Sequence, residues 1–246
     1  MSELTLKIKK TFEDSIAVKQ LILNEKTFEV LASSGDVIAQ SIKKGGKLMI
    51  CGNGGSAADA QHLVAEFLIR LTSDVNRQGI PAISLAQDSS TLTACINDFG
   101  ADVIFQRVLS TLGNSGDVLL VISTSGNSIN IIEALKTAKE MNIYCIGFLG
   151  NGGGEALKFC DSVFSVPSNI TARIQESHRL ILHIICDLVE QFFTDKKYFS
   201  PDLRLTVDEP KDYFLASILY DKFYINKKYF SPKNIIEYLK NNKELS

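Results

Sequence analysis

Two residues capable of acid–base chemistry, His62 and Glu66, stand four apart in the stretch Cys51-Gly52-Asn53-Gly54-Gly55-Ser56-Ala57-Ala58-Asp59-Ala60-Gln61-His62-Leu63-Val64-Ala65-Glu66. Residues four apart on a helix share a face. An imidazole beside a carboxylate there can move a proton or hold a cation. The glycines just before them let the backbone turn sharply and leave amide groups uncovered. Ser56 suits the N-cap of a helix that starts at Ala57. A short apolar strand (residues 47–51), a glycine-rich turn and a helix N-terminus together form an anion site, because free N–H groups and the helix dipole face one spot.

A second turn, Ser123-Thr124-Ser125-Gly126-Asn127-Ser128, sets four hydroxyls and a glycine between an apolar run and a helical one. Clustered hydroxyls at a helix N-terminus suit a phosphate monoester; the plainer reading is a turn with surplus caps. Neither turn is a Walker A loop or a dinucleotide fingerprint.

The chain has three histidines: His62, His178 and His183. Gln175 and His183 lie about 80° apart around a helix, so both can face one pocket, whereas His178 lies about 140° from His183 and points elsewhere. Two chemistries are then open. Glu66 and His183 form a carboxylate–imidazole pair for proton abstraction beside a carbonyl, or His62, Glu66 and His183 surround a divalent metal with a position left for substrate. Asn97-Asp98 and Arg173 are weaker signals: Asp98 suits an N-cap as well as a ligand contact, and Arg173 suits an anion or an ion pair with Glu176.

The elements that must position these groups alternate. Helical spacing runs through Leu4, Ile8, Phe12 and Ile16, then through a second run that Ser33-Ser34-Gly35-Asp36 interrupts. Short apolar runs at 47–51, 81–85, 117–122, 144–148 and 162–166 read as strands. Helical patterns lie between them: one opens at Ser89, one follows the polar turn Asn97-Asp98-Phe99-Gly100, one covers 129–141, and a long one runs from about 172 to 192. Such alternation predicts an α/β fold with a five-stranded parallel sheet flanked by helices, and ligands beyond the strand C-termini.

The last residues, 196–246, read as a separate helical C-terminal extension. They hold six of the seven tyrosines and repeat Lys-Lys-Tyr-Phe-Ser-Pro at 196 and at 227. Each Ser-Pro suits a helix start. Tyr213, Phe214, Ser217, Tyr220, Phe223 and Tyr224 recur at the spacing of one apolar helix face.

Composition bounds the rest. The 246 residues are 45% hydrophobic and 22% charged with a net charge of −2, the values of a soluble globular protein without an electrostatic nucleic-acid surface. No apolar run is long enough to span a membrane, and no signal peptide opens the chain. Five cysteines at scattered spacings predict a reduced, cytoplasmic protein.

Four ordered motifs carry a family resemblance: Cys51-Gly52-Asn53-Gly54-Gly55-Ser56, Asn97-Asp98-Phe99-Gly100, Ser123-Thr124-Ser125-Gly126-Asn127-Ser128 and Ala172-Arg173-Ile174-Gln175-Glu176. Across roughly residues 1–193 the chain resembles the phosphoheptose isomerases of the SIS (sugar isomerase) superfamily. The resemblance implies an SIS-type doubly wound sandwich over 1–195. It implies conversion of sedoheptulose 7-phosphate to D-glycero-D-manno-heptose 7-phosphate through an enediol, the first step towards activated heptoses of bacterial glycans. It further implies a homotetramer with active sites between subunits, and one zinc per site on His62, Glu66, Gln175 and His183. Substrate contacts carry over to Asn53, Gly54, Gly55, Glu66, Asn97, Asp98, Ser123, Thr124, Ser125, Ser128 and Gln175, with the Ser56 turn lining the site. Glu66 and His183 are the implied catalytic pair. Ala172 departs from the family, since some members carry aspartate there, and the extension has no counterpart in its usual members. A paralogous, non-catalytic SIS scaffold that binds the replication initiator DnaA shares two motifs but lacks the catalytic glutamate and second histidine. A sugar-phosphate-sensing regulatory domain is a third possibility, and it usually travels with a DNA-binding module.

Overall fold

The computed structural model describes residues 2–73, 75–86 and 88–194, together with Tyr238 and Asn241. The chain divides into two units, Met1–Phe192 and Phe193–Ser246. The sheet and the motifs above belong to the first. The two Lys-Lys-Tyr-Phe-Ser-Pro repeats and the aromatic face from Tyr213 to Tyr224 lie outside the described residues.

Helices α1 (Glu3–Ile22) and α2 (Glu25–Lys43) open the fold, each started by a side-chain cap. Ser2 Oγ accepts from Thr5 N at 3.2 Å, and Asn24 Oδ1 accepts from Thr27 N at 3.0 Å. Ser33-Ser34-Gly35-Asp36 does not interrupt α2 as the sequence suggests. A Cβ at Gly35 would stand 3.1 Å from Leu188 Cβ, so the small residues let two helices approach, and that packing outweighs the weak helix propensity of glycine and serine.

Five strands follow: β1 (Leu48–Gly52), β2 (Ala82–Ser84), β3 (Val118–Ser123), β4 (Tyr144–Gly150) and β5 (Ser162–Val166). All pair in parallel, in the order β2-β1-β3-β4-β5. Strands β1 and β3 are buried along their whole length, as expected where helices cover both faces. Met49, Cys51, Leu119, Val121, Cys145 and Leu149 turn to one face, against Phe105 and Leu109 of α5 (Ile104–Leu112) and Ile131 and Leu135 of α6 (Ile129–Glu140). The alternate residues of each strand face the other way, where α7 (Thr171–Thr194) brings His178 within 6.4 Å of Phe148. Asp117, just before β3, accepts from Lys47 N at 2.9 Å and Asn114 N at 2.8 Å and pairs with Lys47 Nζ at 2.6 Å. It therefore brackets the starts of β1 and β3 rather than opening the strand itself.

The strand order fixes where a ligand can go. From β1 the chain steps one way to β2, then returns past β1 to β3 and continues the other way. Gly52 at the end of β1 pairs with Ile122, one residue from the end of β3. The loops after these two strands diverge above one crevice, the place where such sheets bind ligands. That is why two turns 70 residues apart in sequence meet.

All five cysteines are free thiols. Among the described residues, no helix is long and apolar enough to cross a membrane.

Candidate active site at the sheet crevice

The turn after β1 is tighter than its sequence suggests. Helix α3 (Gly55–Leu68) starts two residues before Ala57, with Gly54 as N-cap at φ 56°. An L-residue with a side chain rarely adopts that conformation, so glycine rather than a serine cap sets the helix start. Ser56 is instead buried beneath the turn at 3% exposure, where a Cβ on Gly52 would stand 2.7 Å from its own Cβ. Gln175, near the start of α7, lays its amide over Gly55, with Nε2 2.7 Å from where a Cβ would sit.

The turn after β3 is built from its own hydroxyls. Ser123 Oγ accepts from Gly126 N at 3.0 Å, and Ser125 Oγ accepts from Asn127 N at 3.2 Å. Ser128 stands at the N-cap of α6 but its side chain makes no capping bond, which leaves that hydroxyl for other work. A third turn, unmarked in the sequence reading, backs this one. A Cβ on Gly126 would stand 1.9 Å from Gly153 O, and one on Gly154 would stand 2.4 Å from Ser125 O. Ala156 N donates to Gly126 O at 2.8 Å, and Glu155 N donates to Asn127 Oδ1 at 3.0 Å. The signal was present as Gly150-Asn151-Gly152-Gly153-Gly154, which begins at the last residue of β4.

The acid–base residues converge. His62 Nε2 lies 2.8 Å from His183 Nε2, and the rings meet edge to face with centroids 5.1 Å apart. Glu66 Oε1 is 3.6 Å from His62 Nε2. All three side chains are half-buried, and one ligand atom from each lies within 4.8 Å of the others. Two nitrogens 2.8 Å apart leave room for one hydrogen between them, so one imidazole presents a lone pair to the other. Neutral histidine is also the metal-binding form, and two imidazoles with one carboxylate suit zinc. The residues present thus fit a divalent cation.

His178 is a different kind of residue. It is fully buried, with Nε2 donating to Leu149 O at 3.0 Å and Nδ1 unpartnered. Burial pushes its pKa down, against the opposing effects of the Leu149 bond and the Asp59 charge. It is a neutral packing residue turned from the site, as the helix phase predicts.

Arg173 resolves to the ion pair with Glu176, and Nη1 also donates to Thr11 O at 3.1 Å. Asn97 and Asp98 lie not in a turn but in the last turn of α4 (Ser89–Phe99), which ends at Gly100 with φ 91°. Asp98 does not cap the helix that follows, since Val103 stands at the N-cap of α5. Asp98 accepts from Asn97 Nδ2 at 2.7 Å and lines a cavity of about 440 Å³ between α4 and α5, beside Arg107 and Phe99.

Three further positions escaped the sequence reading. Asn130 of α6 pairs with Asn53, Arg179 of α7 pairs with buried Asp59 of α3, and Arg77 pairs with Glu190 of α7. Each links segments at least 77 residues apart, so no local spacing announces it.

The SIS domain family matches residues 11–150. A phosphoheptose isomerase of Campylobacter jejuni is 48% identical over 163 residues, 66% of this chain and 87% of its own. One from Burkholderia pseudomallei is 43% identical over 195 residues, 79% and 98% of the two chains. Among solved structures, phosphoheptose isomerase GmhA from Neisseria gonorrhoeae superposes with a TM-score of 0.71 at 40% identity over 76% of this chain and 99% of its own. A phosphoheptose isomerase from Francisella tularensis gives 0.73 at 36% identity over 78% of this chain and all of its own. With its parallel five-stranded sheet and its His62–Glu66–His183 cluster, the chain belongs to the SIS domain family and, within it, to the phosphoheptose isomerases.

Proposed function

We propose that the chain isomerises sedoheptulose 7-phosphate to D-glycero-D-manno-heptose 7-phosphate, the entry to activated heptose synthesis. The carrying observation is the approach of His62, Glu66 and His183 from two helices, α3 and α7, near whose starts Gln175 lies over Gly55. A phosphate held at one end of the sugar fixes the substrate while C1 and C2, at the other end, meet a base.

The Ser123, Thr124, Ser125 and Ser128 hydroxyls and the α6 N-terminus hold the phosphate. Asn53, Gly54, Gly55, Asn97, Asp98 and Gln175 contact the sugar, with Ser56 supporting the turn from below. Glu66 takes the proton from C1 of the ketose and returns it at C2 of the enediol, and His183 exchanges protons at the two oxygens. His62, Glu66 and His183, with Gln175 as fourth ligand, would hold zinc, which supplies Lewis-acid polarisation of the carbonyl when bound. Glu66 offers two carboxylate oxygens, so with zinc bound one could serve as ligand and the other as base.

We further assign a cytoplasmic homotetramer with active sites between subunits. Supporting it, Leu4, Ile8, Phe12 and Ile16 form an exposed stripe on α1, and an apolar groove of about 460 Å³ runs between α1, α2 and α7. The non-catalytic scaffold reading accounts for the two shared motifs but not for the catalytic glutamate and second histidine, which are both present in one cluster. Purified protein incubated with sedoheptulose 7-phosphate is expected to form the aldose, seen by NMR. Unchanged ketose after prolonged incubation with zinc present would refute the assignment.

A further inference from the structure

Arg77 is buried to 2% side-chain exposure at the far end of α3 from the glycine-rich turn, and so is its partner Glu190. Its guanidinium is divided among two elements. Nε donates to Glu190 Oε1 at 2.5 Å, Nη2 to Glu66 O at 2.8 Å, and Nη1 to Phe67 O at 2.8 Å and Gln78 O at 3.0 Å. The Glu66 and Phe67 carbonyls belong to the last turn of α3, where no helical N–H remains to meet them, and Phe67 O also accepts from Ile80 N at 2.9 Å. A cation there also complements the helix dipole. Glu190 lies seven residues beyond His183 on α7, two turns along nearly the same face.

One side chain therefore joins the end of the helix that carries His62 and Glu66 to the helix that carries His183. It grips Glu66 by its main chain and leaves the carboxylate free. Stability alone does not call for such a pair. Burying two charges costs desolvation, and apolar residues of similar volume are often no less stable in the same place. A lysine cannot substitute, because its single point charge lacks the planar fork that spans a carboxylate and two carbonyls.

We propose that Arg77 is a positioning residue, with Glu190 as its anchor: it sets the spacing between Glu66 and His183 on which proton transfer depends. The proposal rests on the reading of those two residues as the catalytic pair. Misplacement of a catalytic group by about 1 Å can cost on the order of 100-fold in rate, so a shift at this joint reaches the chemistry without touching substrate.

The test compares Arg77→Met/Glu190→Leu, which removes both charges, with Arg77→Lys, which keeps the cation and loses the fork. Thermal midpoint, kcat and KM for sedoheptulose 7-phosphate are measured, and side-chain ¹⁵N resonances of the histidines report the His62–His183 contact without turnover. The double variant is expected to fold with a midpoint near wild type and a kcat at least tenfold lower. Its KM stays within twofold, because the phosphate turn is distant, and its histidine resonances shift. Arg77→Lys is expected to lose at least threefold in kcat, again with shifted resonances. A folded variant of either kind with wild-type kcat and unshifted resonances overturns the proposal. Should Glu66→Gln retain activity while the Arg77 variants still shift the histidine resonances, the assignment of the catalytic pair fails and the positioning role stands.

Discussion

The side-chain amides of Asn53 and Asn130 exchange two hydrogen bonds, each 2.9 Å long. Asn53 begins the glycine-rich turn after β1, and Asn130 lies in the first turn of α6, behind the hydroxyl turn. The pair clasps the two lips of the crevice. Each such bond contributes about 1 kcal/mol net, so Asn130→Ala is expected to raise KM for the sugar phosphate about tenfold. Glu66 and His183 are untouched, so kcat stays within about twofold. Steady-state kinetics check this; a fall in kcat at unchanged KM would show that the clasp serves chemistry rather than binding.

Glu66→Gln replaces the carboxylate by an amide of nearly the same shape at a half-buried position. Loss of a positioned acid–base group costs on the order of 10²–10⁴ in rate. The variant is expected to lose that much kcat with a thermal midpoint within about 2 °C of wild type. Retention of more than half the wild-type kcat would remove Glu66 from the role of base.

The sheet, its strand count and the long helix α7 were legible because each is a periodic or unbroken apolar pattern. Val118–Ser123 is buried at every position and reads as such. The site's two turns were legible because glycine and hydroxyl residues follow strands. What was not legible depends on packing between distant segments. Gly35 looks like a break until Leu188 is seen against it, and Asn97-Asp98 looks like a turn until Gly100 is seen to end α4. Ser56 looks like a cap because serine usually is one, whereas the positive φ needed at Gly54 decides the start of α3. Arg77 and Glu190 are 113 residues apart and lie in no motif.

His183 and His178 are five residues apart on α7 and should respond oppositely to alanine. His183→Ala is expected to lower kcat by at least 100-fold and to abolish stoichiometric zinc binding, while leaving the fold intact. His178→Ala keeps zinc but opens a void beside Phe148 and strips the partner from Leu149 O, at a cost of about 2–4 kcal/mol in stability. Metal analysis and thermal denaturation separate the two. Equal loss of zinc in both variants would contradict the geometry.

The same buried imidazole makes stability depend on pH with a definite sign. Burial holds His178 below its ordinary value of 6.5 in the folded protein, while the unfolded chain retains that value. Below pH about 6.5 the unfolded state binds the proton that the folded state refuses, so stability falls as pH is lowered and is fully present above. Denaturation midpoints between pH 7.5 and 5.5 are expected to decline in wild type and to decline less in His178→Gln. Parallel declines would assign the dependence to other groups.

The extension after α7 presents the last question. Every residue of the candidate site lies before the end of α7 at Thr194, including Glu190, which anchors Arg77. The aromatic content of residues 196–246 is unlike that of disordered segments, which are poor in such residues. A chain stopped at residue 195 is therefore expected to keep kcat and KM within about twofold while losing thermal stability or assembly, measured by denaturation and by light scattering. A truncated protein that stays a soluble tetramer yet loses all activity would instead bring the extension into the active site.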